Sequence, residues 1–256
     1  MKQTTRLVEV VDGVWVATST WFATTSTVLL DSRGGAVVVD PAFLPDELAA
    51  IPRDLDAMGV RCVAGVSTHE HYDHVLWHDD LGDVPRWSSP GSVAHLGEAR
   101  EVLLAPLAEY LSPDLIEIAG RLRPLPDSTL PWSGPVAVLI EHDAHAPAHV
   151  ALWIPDRRVL VAGDMLSDVD LPMPADDESL EHYAAGLERL REAVNSVGWL
   201  VPGHGTVTSD AVARYDADRR YLDDLLTRGG SDDPRVGLDG MPELHEANLA
   251  RARAGH

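Results

Sequence analysis

The stretch Thr68-His69-Glu70-His71-Tyr72-Asp73-His74 decides how the rest of this chain is interpreted. It follows Val63-Ala64-Gly65-Val66-Ser67, a run that predicts a buried strand. Residues two apart on an extended segment point the same way, so His69, His71 and Asp73 can share one side, and a turn would bring in His74. Burying these groups is costly unless something binds them. Imidazole and carboxylate suit zinc, and also iron or manganese. The alternative is a solvated polar loop, which is typical of single histidines rather than of such a cluster.

Further polar motifs follow downstream, and together they resemble one family. The pattern His-x-His-x-Asp-His after a strand is similar to the signature of the metallo-β-lactamase superfamily of metal-dependent hydrolases, in particular its glyoxalase II-like and lactonase-like branch, with the subfamily left open. Four more landmarks of that family have counterparts in the right order. They are Val38-Val39-Asp40-Pro41, Ala144-His145-Ala146-Pro147-Ala148-His149, Val161-Ala162-Gly163-Asp164 and Val201-Pro202-Gly203-His204-Gly205.

The resemblance implies an α/β fold, the αβ/βα four-layer sandwich. In it two mixed β-sheets pack face to face with helices outside, and the metal ligands sit on loops at one edge of the sheets. We expect residues 1–256 to form a single domain of two pseudo-repeated halves, about 1–125 and 126–256. The hydrophobic content of 45% is enough for a full core.

The resemblance also implies a role for each candidate ligand. His69, His71 and His145 would bind a first metal, Asp73, His74 and His204 a second, and Asp164 would bridge them. The implied cofactors are two Zn²⁺ ions, with iron or manganese as alternatives. The implied nucleophile is a hydroxide held between the metals, which Asp73 would orient and deprotonate as the catalytic base.

Several other residues are candidates for supporting roles. Asp40, at the end of a predicted strand, is expected to orient a ligand histidine. His149 is expected to be structural, because the ligand count is complete without it. Five side chains could line an apolar substrate pocket, with core packing as the rival interpretation: Trp21, Phe22, Tyr72, Trp77 and Met165.

Charge and composition exclude several function classes. The net charge of −21 and the single lysine, Lys2, oppose binding to phosphate backbones, so we expect no nucleic-acid partner. No apolar run is long enough to span a membrane, and we expect neither a signal peptide nor a membrane partner. Cys62 is the only cysteine, which fits a cytoplasmic location. The expected partner is a small-molecule substrate; the oligomeric state is open, with a homodimer as one option.

The function that these observations favour is metal-dependent hydrolysis of a small acyl substrate: an ester, a thioester or a lactone. One alternative is an iron-dependent oxygen or sulfur oxidoreductase on the same fold, although such relatives carry a carboxylate where this chain has His71. Another is β-lactam hydrolysis, although some β-lactamases have cysteine at the position of Asp164. A non-catalytic binding module would be expected to have lost ligands, and this chain retains all of them.

Hydrophobic patterning predicts the order of the elements. Strands are expected over 7–17, 24–30, 36–40, 63–67, 136–140, 151–155, 159–162 and 199–202. Helices are expected over 46–58, 101–111, 179–194, 210–227 and 243–253, with a further one opening at Ser89-Pro90.

Overall fold

The larger of two β-sheets comes from the first half of the chain. The structure is a computed structural model, and it describes residues 6–41, 43–175 and 178–254. The sheet is mixed, with the first four strands antiparallel and the last three added in parallel, in the order β1-β2-β3-β4-β5-β6-β7. Its strands are β1 (Val8–Val11), β2 (Val14–Thr18), β3 (Thr25–Leu30), β4 (Gly35–Val39), β5 (Arg61–Val66), β6 (Arg86–Ser88) and β7 (Arg123–Pro124).

The smaller sheet comes from the second half and is also mixed. Its order is β11-β10-β9-β8, with β10 and β11 parallel and the other neighbours antiparallel. Its strands are β8 (Val138–His142), β9 (His149–Ile154), β10 (Val159–Val161) and β11 (Trp199–Val201). The helices are α1 (Pro45–Leu48), α2 (Ala50–Met58), α3 (Pro90–Leu104), α4 (Pro113–Ile118), α5 (Leu180–Arg189), α6 (Arg191–Ser196), α7 (Ala211–Arg228) and α8 (Met241–Ala254).

The layers follow from the alternation of side chains along the strands. On β4, Val37 and Val39 pack with Leu152 and Val161 of the other sheet. The residue between them points the opposite way, so Val38 packs with Ile51 of α2. A helix layer also covers the outer face of the smaller sheet, where helix and strand leucines form one cluster. The predicted four-layer αβ/βα sandwich is confirmed.

Three predicted elements are divided in the structure. The strand predicted over 7–17 is a hairpin, because Gly13 adopts a left-handed φ of 73° between β1 and β2. The helix predicted over 46–58 is two segments, since Pro52 has no amide hydrogen to donate to the carbonyl of Leu48. The helix predicted over 179–194 becomes α5 and α6, which meet at the buried Leu190.

A fourth prediction places a boundary wrongly. The helix that begins at Pro90 continues to Leu104, and a 3₁₀ turn over Ala105–Glu109 follows it. The separate helix predicted over 101–111 is therefore wrong.

The strand ends place the candidate ligands at one edge of the sandwich. Asp40 follows β4, and the seven-residue motif begins two residues after β5 ends. In the smaller sheet Asp164 follows β10 and His204 follows β11. The two sheets meet here, where the amide of Thr25 donates a hydrogen bond of 2.7 Å to the carbonyl of Gly203.

Candidate metal centre

The seven predicted ligands come together in two adjacent groups. In each group the ligand atoms lie within 4.8 Å of one another. This division is the one that the resemblance implied, and the distance criterion places Asp164, the candidate bridging ligand, in the first group. The first group is His69, His71, His145 and Asp164, and the second is Asp73, His74 and His204.

The first group is arranged around one oxygen of Asp164. The Oδ2 atom of Asp164 lies 3.3 Å from Nε2 of His145 and 3.5 Å from Nε2 of His69. Nε2 of His145 is also 3.1 Å from Nδ1 of His71. Three imidazole nitrogens and a carboxylate oxygen therefore converge from three different loops, which is the donor set of a zinc site.

The second group lies on the other side of the same carboxylate. Nε2 of His74 is 3.3 Å from Nε2 of His204, and Oδ2 of Asp73 is 3.6 Å and 3.3 Å from these two nitrogens. Asp164 reaches this group as well, with Oδ1 at 3.0 Å from His74 and Oδ2 at 3.3 Å from His204. Asp164 is thus placed to bridge the two groups.

Unsatisfied buried atoms indicate what this arrangement is built to hold. Nε2 of His69 is buried without a hydrogen-bond partner among the described residues. Nitrogens from separate histidines also face one another at hydrogen-bonding distance in both groups. Buried polar atoms are normally paired, and a divalent cation between these donors would satisfy them together. The residues present therefore fit divalent metals.

Backbone carbonyls orient two of the ligand histidines. Nδ1 of His145 donates to the carbonyl of Met173 at 3.0 Å, and Nδ1 of His204 donates to the carbonyl of Phe22 at 2.9 Å. Each bond fixes the orientation of the ring so that Nε2 faces the ligand group. The tip of the β2–β3 hairpin is therefore tied to the site through Phe22.

One buried carboxylate, Asp40, contacts a ligand of the second group directly and is linked to a ligand of the first group through Thr68. It lies 3.0 Å from Nδ1 of His74, the position from which it would orient that ring. It also accepts from Thr68, at 2.8 Å from the amide and 2.7 Å from the hydroxyl. The Thr68 hydroxyl is in turn 3.0 Å from Nδ1 of His69. Sequence reasoning assigned no role to Thr68, although it is the first residue of the motif.

Two histidines of the first group, His69 and His71, are held neutral. Burial, reinforced by the nearby His74, lowers the pKa of His69 well below its usual value. Burial and the neighbouring His145 lower the pKa of His71 to about 4. At neutral pH these two rings are uncharged, which is the form that binds a metal.

The second group has the opposite electrostatics. Burial alone would lower the pKa of His74, but the carboxylates of Asp164 and Asp73 outweigh it and raise the pKa well above its usual value. The same two carboxylates raise the pKa of His204. A metal entering this group must therefore displace protons, so its binding depends on pH.

Two further histidines form a buried stack behind the first group. The His149 ring lies 4.8 Å from His69 and 4.5 Å from His142 between ring centroids. Nε2 of His149 accepts a bond of 3.1 Å from the amide of Asp164. A Cβ atom on Gly163, whose φ is 56°, would come within 2.4 Å of that nitrogen, so glycine is needed there. His149 thus lies outside both ligand groups.

A cavity of about 390 Å³ opens onto both ligand groups. A larger depression, about 740 Å³, lies beside Glu47 and Arg53 and is lined by none of the seven ligand candidates, so we assign the substrate to the smaller cavity. Apart from the ligands, the cavity wall consists of Phe22, Tyr72, Leu103, Asp170, Leu171, Met173, Asp239, Gly240 and Met241.

Only two of the five predicted pocket residues lie in this wall. They are Phe22, which is 57% exposed at the hairpin tip, and Tyr72. Trp21 is not among the lining residues; it is 37% exposed, and its ring lies 5.2 Å from Phe22 and 6.5 Å from Phe43 between centroids. Trp21 therefore supports the wall rather than forming it.

The prediction that Trp77 and Met165 line the pocket is wrong. The chain turns inward after the motif, and Trp77 packs in the core under β5, where a Cβ atom on Gly65 would come within 2.5 Å of its ring. Met165 is fully buried between the smaller sheet and its helices. Both side chains fill core space instead.

Several wall residues were missed. Leu171 and Asp170 lie on the loop after β10, and Asp239 and Met241 lie at the start of α8. Asp170 and Leu171 follow Asp164 by six and seven residues, and Asp239 and Met241 lie far beyond His204. None of the four belongs to a motif, so only the fold shows that they line the cavity.

The comparisons with known proteins agree with this geometry. Residues 20–204, well over half of the chain, match the model of the metallo-beta-lactamase superfamily. The protein therefore belongs to the metallo-beta-lactamase superfamily, as its motifs suggested.

Individual relatives are distant. The chain is 25% identical over 164 residues to a probable metallo-hydrolase, YflN, of Bacillus subtilis; the match covers 57% of this chain and 62% of that protein. A metallo-beta-lactamase from Pontibacter korlensis is similar in fold, with a TM-score of 0.62 and 17% identity over 82% of this chain and 95% of that one. A beta-lactamase domain protein from Burkholderia ambifaria gives a TM-score of 0.63 and 20% identity over 86% and 74%. At these identities the structural neighbours show the fold alone.

The length and hydropathy of the helices decide whether any of them could cross a lipid bilayer. Within residues 6–41, 43–175 and 178–254, none is both long enough and apolar enough to span a membrane.

Proposed function

We propose that this protein is a dinuclear zinc hydrolase that cleaves a small ester, thioester or lactone. One observation carries the proposal: two groups of buried metal-ligand side chains share the carboxylate of Asp164 at the base of an apolar-walled cavity. When bound there, divalent metals would lower the pKa of a coordinated water to about 7 and polarise the acyl carbonyl.

The protein side chains divide the remaining work. His71, His145 and His204 line the cavity and present nitrogens towards it, so that substrate and metals meet at one wall. Asp73 also lines the cavity, and its Oδ2 atom lies 3.3 Å from Nε2 of His204. From this position Asp73 can orient a water molecule and accept its proton. Tyr72 contributes its ring to the wall next to Asp73.

The donor set weighs against the iron oxidoreductase alternative. The first group has His71, an imidazole, where oxygen-reducing relatives carry a carboxylate. Zinc accepts three imidazoles and a carboxylate in one site. Metal analysis separates the two possibilities, because an oxidoreductase would require iron for turnover.

β-Lactam hydrolysis is a narrower alternative. The solved structures with a similar fold include the metallo-beta-lactamase from Pontibacter korlensis, and likeness at 17% identity supports the shared fold alone. The second group contains Asp73, His74 and His204, with the carboxylate of Asp164 beside it where some β-lactamases have a cysteine. A chromogenic β-lactam in the substrate panel tests this alternative directly.

The experiment is a substrate panel on zinc-loaded protein with metal content measured in parallel. The panel contains lactones, thioesters, phosphodiesters and the β-lactam, and it is repeated with the iron-loaded protein. We expect turnover of at least one acyl substrate by the zinc form, lost in Asp73→Asn and retained in Asp216→Asn, a matched change at an exposed position of α7. Turnover only with iron, or only of phosphodiesters, would overturn the proposal.

We further propose that the substrate is a small molecule and that neither nucleic acid nor a membrane is a partner. The net charge of −21 supports this, because it repels phosphate backbones and anionic lipids alike. The single cysteine supports a cytoplasmic location. Light scattering would measure whether the protein forms a homodimer.

A further inference from the structure

The charge distribution of the substrate cavity is one-sided. The wall beyond the ligand groups is largely apolar, with Phe22, Leu103, Leu171 and Met241 among its members. This part of the wall contains two charged side chains, and both are carboxylates: Asp170 and Asp239. Among the described residues that line the cavity there is no lysine or arginine.

The Arg235 side chain, which contacts the loop that carries Asp170, is already committed to other partners. The Arg235 guanidinium lies 2.7 Å from Asp218 and 2.9 Å from Asp233. It also donates to the carbonyls of Ser167 and Asp170, at 2.9 Å and 3.0 Å, and its side chain is only 7% exposed. Arg235 therefore supports the loop that carries Asp170 and cannot reach a substrate anion in the cavity.

The two wall carboxylates differ in exposure, but both place a carboxylate in the cavity wall. Asp170 is partly buried, and the Ser167 hydroxyl is 3.4 Å from its Oδ2 atom. Asp239 is exposed at the rim, and within the described part of the chain no ion pair involves it. An anionic group on a substrate tail that lies along this wall, away from the ligand groups, would approach both carboxylates with no lysine or arginine among the described wall residues to offset them. This repulsion is stronger near protein than in bulk water.

We propose that the cavity selects substrates whose acyl chain is apolar and uncharged, and that Asp170 and Asp239 discriminate against anionic tails. This inference rests on the proposed acyl hydrolysis and adds the class of substrate. It requires that the tail lie along the apolar wall while the scissile carbonyl faces the ligand groups. Unpaired like charges in an interface act mainly as elements that reject the wrong ligand.

The test compares esters that differ only in tail charge. The 4-nitrophenyl ester of hexanoic acid has a neutral tail, the mono-4-nitrophenyl ester of adipic acid has an anionic one, and the ester of 6-aminohexanoic acid has a cationic one. We expect kcat/KM for the neutral ester to exceed that for the anionic ester by about 10-fold or more, as one unfavourable charge contact requires. Equal values would overturn the proposal.

Charge reversal at the rim localises the effect. Asp239→Lys should lower the neutral-to-anionic ratio of kcat/KM by about 10-fold. Asp216→Lys makes the same change in net charge at an exposed site on α7 and should leave the ratio unchanged. If the two variants shift the ratio equally, the selection comes from the net charge of the protein and the proposal is wrong.

A binding measurement separates this inference from the hydrolysis itself. Saturation-transfer NMR would compare 2-octanone with 7-oxooctanoate, two ketones that the enzyme cannot hydrolyse, on the zinc-loaded protein. We expect 2-octanone to bind and 7-oxooctanoate to bind at least about 10-fold more weakly. Turnover of none of the esters would count against the proposed hydrolysis alone, whereas equal binding of the two ketones would count against the charge selection.

Discussion

Replacing Asp40 by asparagine should weaken metal binding without unfolding the protein. Asp40 has a left-handed backbone, with φ at 48°, which asparagine tolerates better than most residues, so the variant keeps the local conformation. The amide can still accept from the Thr68 backbone through one oxygen. The NH₂ group of the asparagine then takes the place of the oxygen that faces both the Thr68 hydroxyl and Nδ1 of His74. A hydrogen-bond donor would therefore face two other donors, and both bonds would be lost.

The size of the effect follows from the bonds that are lost. A hydrogen bond to a charged group contributes about 1.5–3 kcal/mol. Removing a group that orients a ligand histidine typically lowers metal affinity by about 10- to 100-fold, which corresponds to about 1.4–2.7 kcal/mol. The two ranges agree. We therefore expect the dissociation constant of the second-group metal to rise by that factor in Asp40→Asn.

Thr68→Val is the matched variant. It keeps the shape and the backbone bond to Asp40 but removes the hydroxyl that lies 3.0 Å from Nδ1 of His69. We expect Thr68→Val to lower the zinc affinity of the first group and to leave that of the second group unchanged. This is the reverse of the effect expected for Asp40→Asn. The assay is chelator competition for zinc, with thermal unfolding as a control for folding. Unchanged affinities in both folded variants, or the same loss at both metals, would refute this account of how the ligands are oriented.

Three further results follow from the site. Because the pKa values of His74 and His204 are raised, zinc binding at the second group should release protons at pH 7 and should strengthen as pH rises. Calorimetry in two buffers of different ionisation enthalpy counts the released protons. Binding of the second zinc ion without proton release would contradict the prediction. Asp73→Asn should lower kcat by about 10²–10⁴-fold with the first metal retained, whereas Tyr72→Phe should change kcat little; near-normal turnover by fully metallated Asp73→Asn would exclude its role as a base. Nucleic acid should be neither bound nor cut in gel assays at low salt, and cleavage that disappears in His71→Ala would show otherwise.

The ligand set was accessible from sequence because its motifs are local. Each group of ligand residues directly follows a strand, and strands that end at one edge bring their following loops together. The spacing of His69, His71 and Asp73 needs only an extended backbone and one turn. The four-layer sandwich was predicted together with the motifs through the family resemblance, whereas the single-domain prediction for residues 1–256 stays a prediction.

The substrate wall was not accessible in the same way. Trp77 lies three residues after the motif, yet the space left by Gly65 on β5 draws its ring into the core. Met241 lies far from every motif and reaches the cavity only through the packing of α8. Element boundaries failed for a related reason, since local pattern did not show that the chain would divide at Leu190. These features depend on tertiary packing, which hydrophobic periodicity alone does not specify.

The most direct test of the central claim is an anomalous difference map from crystals of the zinc-saturated protein, recorded at the zinc absorption edge. The account predicts two peaks per chain, one within reach of His69, His71 and His145 and the other within reach of Asp73, His74 and His204, with Asp164 contacting both. A single peak at saturating zinc, or two peaks of which one lies away from these side chains, would contradict it.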